Sequence, residues 1–201
     1  MDFTKAKNHL EKLGYSVSCF DTAQEASDYL NLSINETTVG IGGSLTIEQM
    51  GLYERLMSHN QVFWHWKVPM GSTIASVSKK AASADIYLSS VNGLAETGEI
   101  INIDGNGNRV ASTIYGHRKV YFIVGENKLA ENFDKALHRA RNIAAPLNAQ
   151  RLKKKTPCAV RADRCYNCQS PERICRALSV LWVKPYSAEY EVVLIHENLG
   201  Y

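Results

Sequence analysis

The sequence predicts an α/β fold with an open, mostly parallel sheet and an inserted β-hairpin. Helical and strand signals alternate along residues 4–145, which argues for βα units rather than separate layers of one kind. Residues 120–124, Val-Tyr-Phe-Ile-Val, are an uninterrupted apolar run suited to a central strand. The strand-like run 37–41 leads directly into Gly42-Gly43-Ser44 and then a helix, as at a join in a doubly wound sheet. The chain has 201 residues, 45% hydrophobic and 21% charged. That composition fits one globular domain, or one domain plus a small appendage, and excludes collagen-like or broadly disordered chains.

Taken in order, residues 4–13 read as a helix with Ala6, Leu10 and Leu13 on one face. After Gly14, residues 15–20 alternate as a strand, and Cys19 is expected there as a buried small hydrophobe. Asp21 or Thr22 is placed to cap a helix running through Leu30. Helices are expected at 45–57 and 72–83, and strands at 61–64 and 85–88. Residues 100–103 and 109–112 flank Asp104-Gly105-Asn106-Gly107-Asn108, a hairpin signal. A long helix follows from about residue 130 and is expected to stop at Pro146. Two strand-like runs, 178–183 and 191–195, close the chain.

Charge divides the chain. Residues 151–176 carry eight basic and two acidic side chains, net +6, against −3 for the rest. The same stretch holds four of the five cysteines. These features predict an α/β domain over 1–148 and a basic, four-cysteine module with terminal strands over 149–201. No run approaches the roughly 20 apolar residues of a membrane helix, and the first ten residues read as an ordinary helix. A cytoplasmic protein without a membrane partner is expected. There, clustered thiols serve more often as metal ligands or redox groups than as structural disulfides.

Two places on the body suit a ligand. At Gly42, Gly43, Ser44 and Thr46, glycines let a backbone approach an anion and the following helix start offers free N–H groups. Thr46 and Gln49 also fit a helix-capping pair. The second place is the loop Glu96-Thr97-Gly98. There Glu96 is the candidate catalytic base or nucleophile, and Thr97 and Gly98 are candidate ligand contacts. A tight turn and a solvated loop carboxylate are the plain structural alternatives. His65, between two tryptophans, and His117, ahead of the central strand, are weaker candidates. The lysine run 153–155 is a solvated segment, with no accompanying motif that points to nucleic acid.

The sharpest pattern is Cys158, Cys165, Cys168 and Cys175, spaced C-x6-C-x2-C-x6-C. Cys165 and Cys168 form a chelating CxxC turn, and the outer cysteines supply a four-thiolate set. Four thiolates suit a [4Fe-4S] cluster or, alternatively, zinc; unmetallated redox thiols are the third possibility. The spacing is similar to the iron–sulfur loop of the endonuclease III glycosylases, although the final gap differs by one residue. Nothing else in the chain resembles that helical fold.

The motif Gly42-Gly43-Ser44-Leu45-Thr46, followed by Ala84-Asp85-Ile86 and Ala95-Glu96-Thr97-Gly98-Glu99-Ile100, resembles the lactate-utilisation (LUD) domain family over residues 1–145. Lactate-utilisation protein C is its familiar member. The resemblance implies a fold similar to the NagB/RpiA/CoA-transferase superfamily. It also implies a role with iron–sulfur partner proteins in oxidising L-lactate or a related small anionic organic acid. Many lactate-utilisation protein C chains lack a cysteine tail, so the module marks a departure. Two other functions stay open: an interaction protein with a structural zinc, and a CoA-transferase- or isomerase-like enzyme using Glu96. Discriminating them needs the metal and the substrate.

Overall fold

A computed structural model describes residues 3–201. The chain runs through α1 (Phe3–Lys12), β1 (Ser16–Phe20), α2 (Ala23–Ser33), β2 (Thr38–Ile41), α3 (Leu45–Gln49), α4 (Leu52–Met57), β3 (Gln61–Trp64), α5 (Ile74–Ala82) and β4 (Ile86–Ser89). It continues through β5 (Gly93–Ala95), β6 (Ile100–Asp104), α6 (Asn108–Ser112), β7 (Lys119–Gly125), β8 (Leu129–Ala130) and α7 (Phe133–Arg139). The last elements are α8 (Ala145–Arg151), α9 (Pro157–Arg161), β9 (Ala177–Leu181) and β10 (Glu189–Ile195). Six strands form a sheet in the order β1-β10-β7-β4-β2-β3, every neighbouring pair parallel. A second, mixed sheet has the order β8-β5-β6-β9.

The core follows from strand alternation. On β7, Tyr121 and Ile123 pack into one apolar layer with Leu30, Ile47, Leu56 and Trp64. Val120, Phe122 and Val124 point the other way, into a layer with Leu10, Tyr87 and Leu94. Strand β10 divides likewise, Val193 and Ile195 against Val192 and Leu194. Both faces of the sheet are therefore covered, the arrangement a parallel sheet requires. The smaller sheet packs Ala95, Ile101 and Ala130 against Ala136 of α7. Helix starts carry their expected caps: Thr22 and Glu25 form a capping box on α2.

Several sequence expectations change. The helix expected over 45–57 breaks at Gly51, which adopts φ +60, so α3 and α4 are separate. The cap of α3 is Ser44, whose hydroxyl accepts from Ile47 N; Gln49 instead accepts from Gly200 N. The second arm of the expected hairpin is α6. Here the Asp104 carboxylate accepts from the N–H groups of Asn106, Arg109 and Val110, which starts a helix where a strand was expected. The hairpin is instead β5 with β6, turned by Thr97 and Gly98. Pro146 does not end the long helix. A π-helical turn over Ala140–Ala144 precedes it, and the helix continues to Arg151, with proline in the first turn of α8 where its missing N–H is not needed. Cys19 is exposed, because β1 lies at the sheet edge.

The two terminal strands do not stand apart with the cysteines. Strand β10 lies inside the main sheet, between β1 and β7, and β9 closes the smaller sheet beside β6. Residues 162–176, which hold three of the four clustered cysteines, contain no regular helix or strand. Among the described residues no helix is long and apolar enough to cross a membrane.

A clamp holds the sheet's first three strands. On β10, the Glu191 carboxylate accepts from Lys119 Nζ at 2.8 Å, Tyr29 Oη at 2.6 Å and Ser18 Oγ at 2.8 Å. Burial pushes its carboxyl up, but these donors outweigh it and hold it below its ordinary value of 4.5. Lys119 is also disfavoured by burial, yet Glu191 and Tyr121 raise it above its ordinary value. The carboxyl's contribution is therefore present above pH 4.5 and lost as pH falls through the lowered folded value. Thermal melts are expected to show a falling Tm on acidification below that point. Glu191→Gln should flatten part of the fall; an unchanged profile would remove Glu191 from the acid transition.

Candidate functional site

The carboxyl edge of the parallel sheet opens into a cleft of about 680 Å³. In open α/β sheets this edge is where ligands bind. Gly43 and Ser44 follow β2, His65 and Trp66 follow β3, Ser90 and Asn92 follow β4, and Lys128 follows β7, all lining the cleft. The smaller sheet adds Ile103 and Asp104 from β6, and beside them the basic segment adds Arg173, Ile174 and Arg176, with Arg176 N donating to Asp104 O at 2.9 Å.

Charge is lopsided here. The lining includes six basic side chains (Arg109, Lys128, Arg151, Lys154, Arg173, Arg176) and two acidic ones, Asp104 and Glu172. Both acids are engaged by main-chain N–H groups: Asp104 as described, and Glu172 by Lys155 N at 2.6 Å. Arg109 is buried behind the floor. It donates to Ser90 O at 3.2 Å, Asn92 Oδ1 at 3.0 Å and Ile103 O at 2.6 Å, and also to Asn102 Oδ1. Arg139 donates to Asn127 O at 2.6 Å and Asn92 O at 2.7 Å. Arg139 also donates to Tyr201 O at 3.2 Å, and the Arg109 guanidinium has no Asp or Glu carboxylate at ion-pair distance among the described residues. Burial lowers both arginines, Arg139 to about 10, so both stay charged at neutral pH.

Lys128, 3% exposed, feels the charge of both. Its amine donates to Ser90 Oγ at 2.7 Å and Thr46 Oγ1 at 2.8 Å. Burial first, and then the charges of Arg139 and Arg109, push the amine well below its ordinary value. His65 is also lowered, mainly by burial, with Asp104 opposing. Arg151 stacks over Trp66 with its guanidinium carbon 4.7 Å from the ring centre.

The structure divides the sequence-derived candidates. Gly43 and Ser44 reach the cleft, and Thr46 lies just beneath it. Gly42 serves packing: a Cβ there would stand 2.9 Å from Arg109 Cγ and 3.0 Å from Tyr87 Oη. Glu96, Thr97 and Gly98 are not brought to this cleft. They turn toward α1, where Glu96 Oε2 stands 3.9 Å from Lys5 Nζ and the Glu96 carbonyl takes His9 Nδ1 at 2.7 Å. A Cβ on Gly98 would run into Leu13 at 2.4 Å. His117 is buried elsewhere, Nδ1 2.6 Å from Ala84 O and stacked on Tyr87.

Cys165 and Cys175 line a second cavity of about 220 Å³. It shares Ile103, Arg173 and Arg176 with the large cleft, so the two are neighbours. Arg173 ties the loop together, its Nε 3.2 Å from Cys175 Sγ and Nη1 donating to Cys168 O at 2.8 Å. The hydrogen bond to Cys175 is the main influence raising Arg173 above its ordinary value. Among the described residues no three His, Cys, Asp or Glu side chains stand close enough to hold one metal ion.

Lys128, Arg109, Ser90 and Arg139 escaped the sequence reading. The only available signal was position: Ser90 follows the 85–88 strand, where carboxyl-end residues of a parallel sheet face the crevice.

Comparison with known proteins agrees with this architecture. A DUF162 family protein from Deinococcus radiodurans, known as a crystal structure, superposes with a TM-score of 0.52 at 12% identity, covering 95% of this chain and 94% of that one. At that identity the likeness concerns the fold. No curated protein matches the sequence significantly. The LUD domain family model matches residues 3–195, past the cysteine segment and through β10, which agrees with a sheet that needs its last strand. The chain therefore belongs to the LUD domain family, which is associated with lactate utilisation.

Proposed function

We propose that this chain binds a small organic acid anion of the L-lactate class in the cleft, within or accessory to an iron–sulfur redox system. The supporting observation is the charge of the cleft. Its basic side chains outnumber its acids, both acids accept from backbone N–H groups, and the buried Arg109 behind the floor has no Asp or Glu at ion-pair distance among the described residues. Such a field attracts a carboxylate, and low-dielectric walls concentrate it. The cavity is large for lactate alone, so it has room for a bulkier acid or a partner's group.

The cysteine segment supports the redox half. Its donor chemistry fits a four-thiolate group, and residues 162–176 carry no helix or strand that gathering the thiols would break. Cys158, Cys165, Cys168 and Cys175 would hold the group, with Arg173 moving aside and its charge, like that of Arg176, balancing the cluster. A bound cluster supplies one-electron transfer beside the acid. Zinc at the same thiols would make the loop a docking element instead.

Anaerobically purified protein is expected to contain about four iron and four sulfide per chain, with broad visible absorbance. Colourless protein with zinc would replace the redox reading by the docking one. Separately, calorimetry should show L-lactate binding that weakens as salt rises. Failure of lactate, and of larger hydroxy acids, to bind would remove the anion site.

A further inference from the structure

Lys128 is an unusual resident for the floor of an anion cleft. It is buried, and no carboxylate pairs with it among the described residues. Its hydrogen bonds fit one protonation state. The Ser90 hydroxyl donates to Ile123 O at 2.6 Å, and the Thr46 hydroxyl to Leu199 O at 3.2 Å. Each oxygen is thus left to accept from Lys128. Two accepted bonds match the two N–H groups of a neutral amine and leave its lone pair free. A charged ammonium would carry a third donor, for which no hydrogen-bond partner stands among the described residues. Arg109 and Arg139, whose own N–H groups are bound to main-chain and amide oxygens, disfavour that third proton through space. An amine desolvated beside other cations is how proteins prepare lysine as a nucleophile.

We infer that Lys128 is an amine nucleophile that forms an imine with small 2-oxo acids entering the cleft. This rests on the cleft taking small organic acids and narrows their class to those with a carbonyl next to the carboxylate. The Nζ lone pair attacks the carbonyl carbon while the C=O π pair moves to oxygen. One Nζ proton passes to that oxygen, giving a carbinolamine. The second Nζ proton leaves with the hydroxyl as water, and a C=N bond remains. Thr46 and Ser90, each within hydrogen-bond reach of Nζ, carry these protons. The step is neither oxidation nor reduction, so it needs no electron acceptor.

The test treats the full chain with pyruvate and sodium borohydride, which reduces the imine to a stable secondary amine. Intact mass followed by peptide mapping is expected to place one adduct on Lys128, enriched on the order of tenfold or more over any other lysine. L-lactate, which has no carbonyl, should give none. Lys128→Met should abolish the adduct while melting at or above the parent temperature, because methionine keeps the length and both hydroxyls keep their acceptors. Should that variant misfold, the wild-type peptide map decides alone. Labelling spread evenly over surface lysines overturns the inference. If calorimetry shows pyruvate binding but no adduct forms on Lys128, the imine is rejected and the anion cleft stands. If pyruvate neither binds nor labels, both fail.

Discussion

Arg109→Ala is expected to cost the protein about 3–5 kcal/mol, as a buried polar network loses a charged group that donates to four oxygens. The guanidinium satisfies four oxygens at once: Ser90 O, Asn92 Oδ1, Asn102 Oδ1 and Ile103 O. These belong to the loop after β4 and to β6, so one side chain fastens the smaller sheet to the edge of the larger. Removing it takes that donor from Asn102 Oδ1 and Ile103 O, while Asn92 Oδ1 keeps Ile103 N at 2.8 Å and Ser90 O keeps Ser89 Oγ at 2.9 Å; it also opens space beside Gly42, where a Cβ would stand 2.9 Å from Arg109 Cγ. Water from the adjoining cleft offsets part of this, which keeps the figure below the sum of four lost bonds. For a chain of this size the melting temperature should fall by roughly 10 °C. Arg109→Lys should recover little, since one ammonium cannot span a planar fork of acceptors. Urea denaturation would measure the loss. A cost below about 1 kcal/mol would show that water replaces the guanidinium and that the two sheets are held by packing alone.

Gly40→Val is the second large effect expected. Gly40 lies mid-strand in β2, where α5 crosses closely enough that a Cβ would stand 2.2 Å from Ala81 O and 2.9 Å from Tyr87 Cδ2. The nearest obstacle is backbone, so no rotamer change relieves it. The helix must move off the sheet, and overpacking of this kind costs about 3 kcal/mol or more. Gly51→Ala makes the control. It has φ +60 but open space around it, so only backbone strain remains, about 1 kcal/mol. Parallel denaturation curves should separate the two clearly. Equal losses would mean that conformational freedom, rather than helix approach, explains Gly40.

The comparison of these glycines shows how far local pattern reaches. From sequence, Gly42 and Gly43 were open to two readings, a backbone approached by a ligand or a tight strand-to-helix turn. Gly40 is crowded by a helix, Gly42 by an arginine and a tyrosine, and only Gly43 faces the cleft, near His65 and Trp66. Glycine records that something is close without recording what. The same limit explains α6. Asp-Gly-Asn-Gly-Asn signals a turn in either case, and the choice between strand and helix afterwards was made by the Asp104 carboxylate capping three N–H groups and by Arg109 finding buried acceptors.

Some features were fixed locally. The alternation of helix and strand, the two-faced β7, the helix caps and the clustered cysteines all follow from spacing within a few residues, which periodicity and side-chain chemistry express directly. The cleft was decided only by the tertiary structure. Lys128 sits in Glu-Asn-Lys-Leu, which reads as a solvated turn, and Arg139 sits in a helix between His138 and Arg141, where another exposed base would be expected. Their burial, their mutual repulsion and the hydroxyls of Thr46 and Ser90 meet because four strands of a parallel sheet end along one edge. Partners 38 to 82 residues apart leave no spacing signal in a chain. An amine's charge depends on what surrounds it in space, and that is set by the fold.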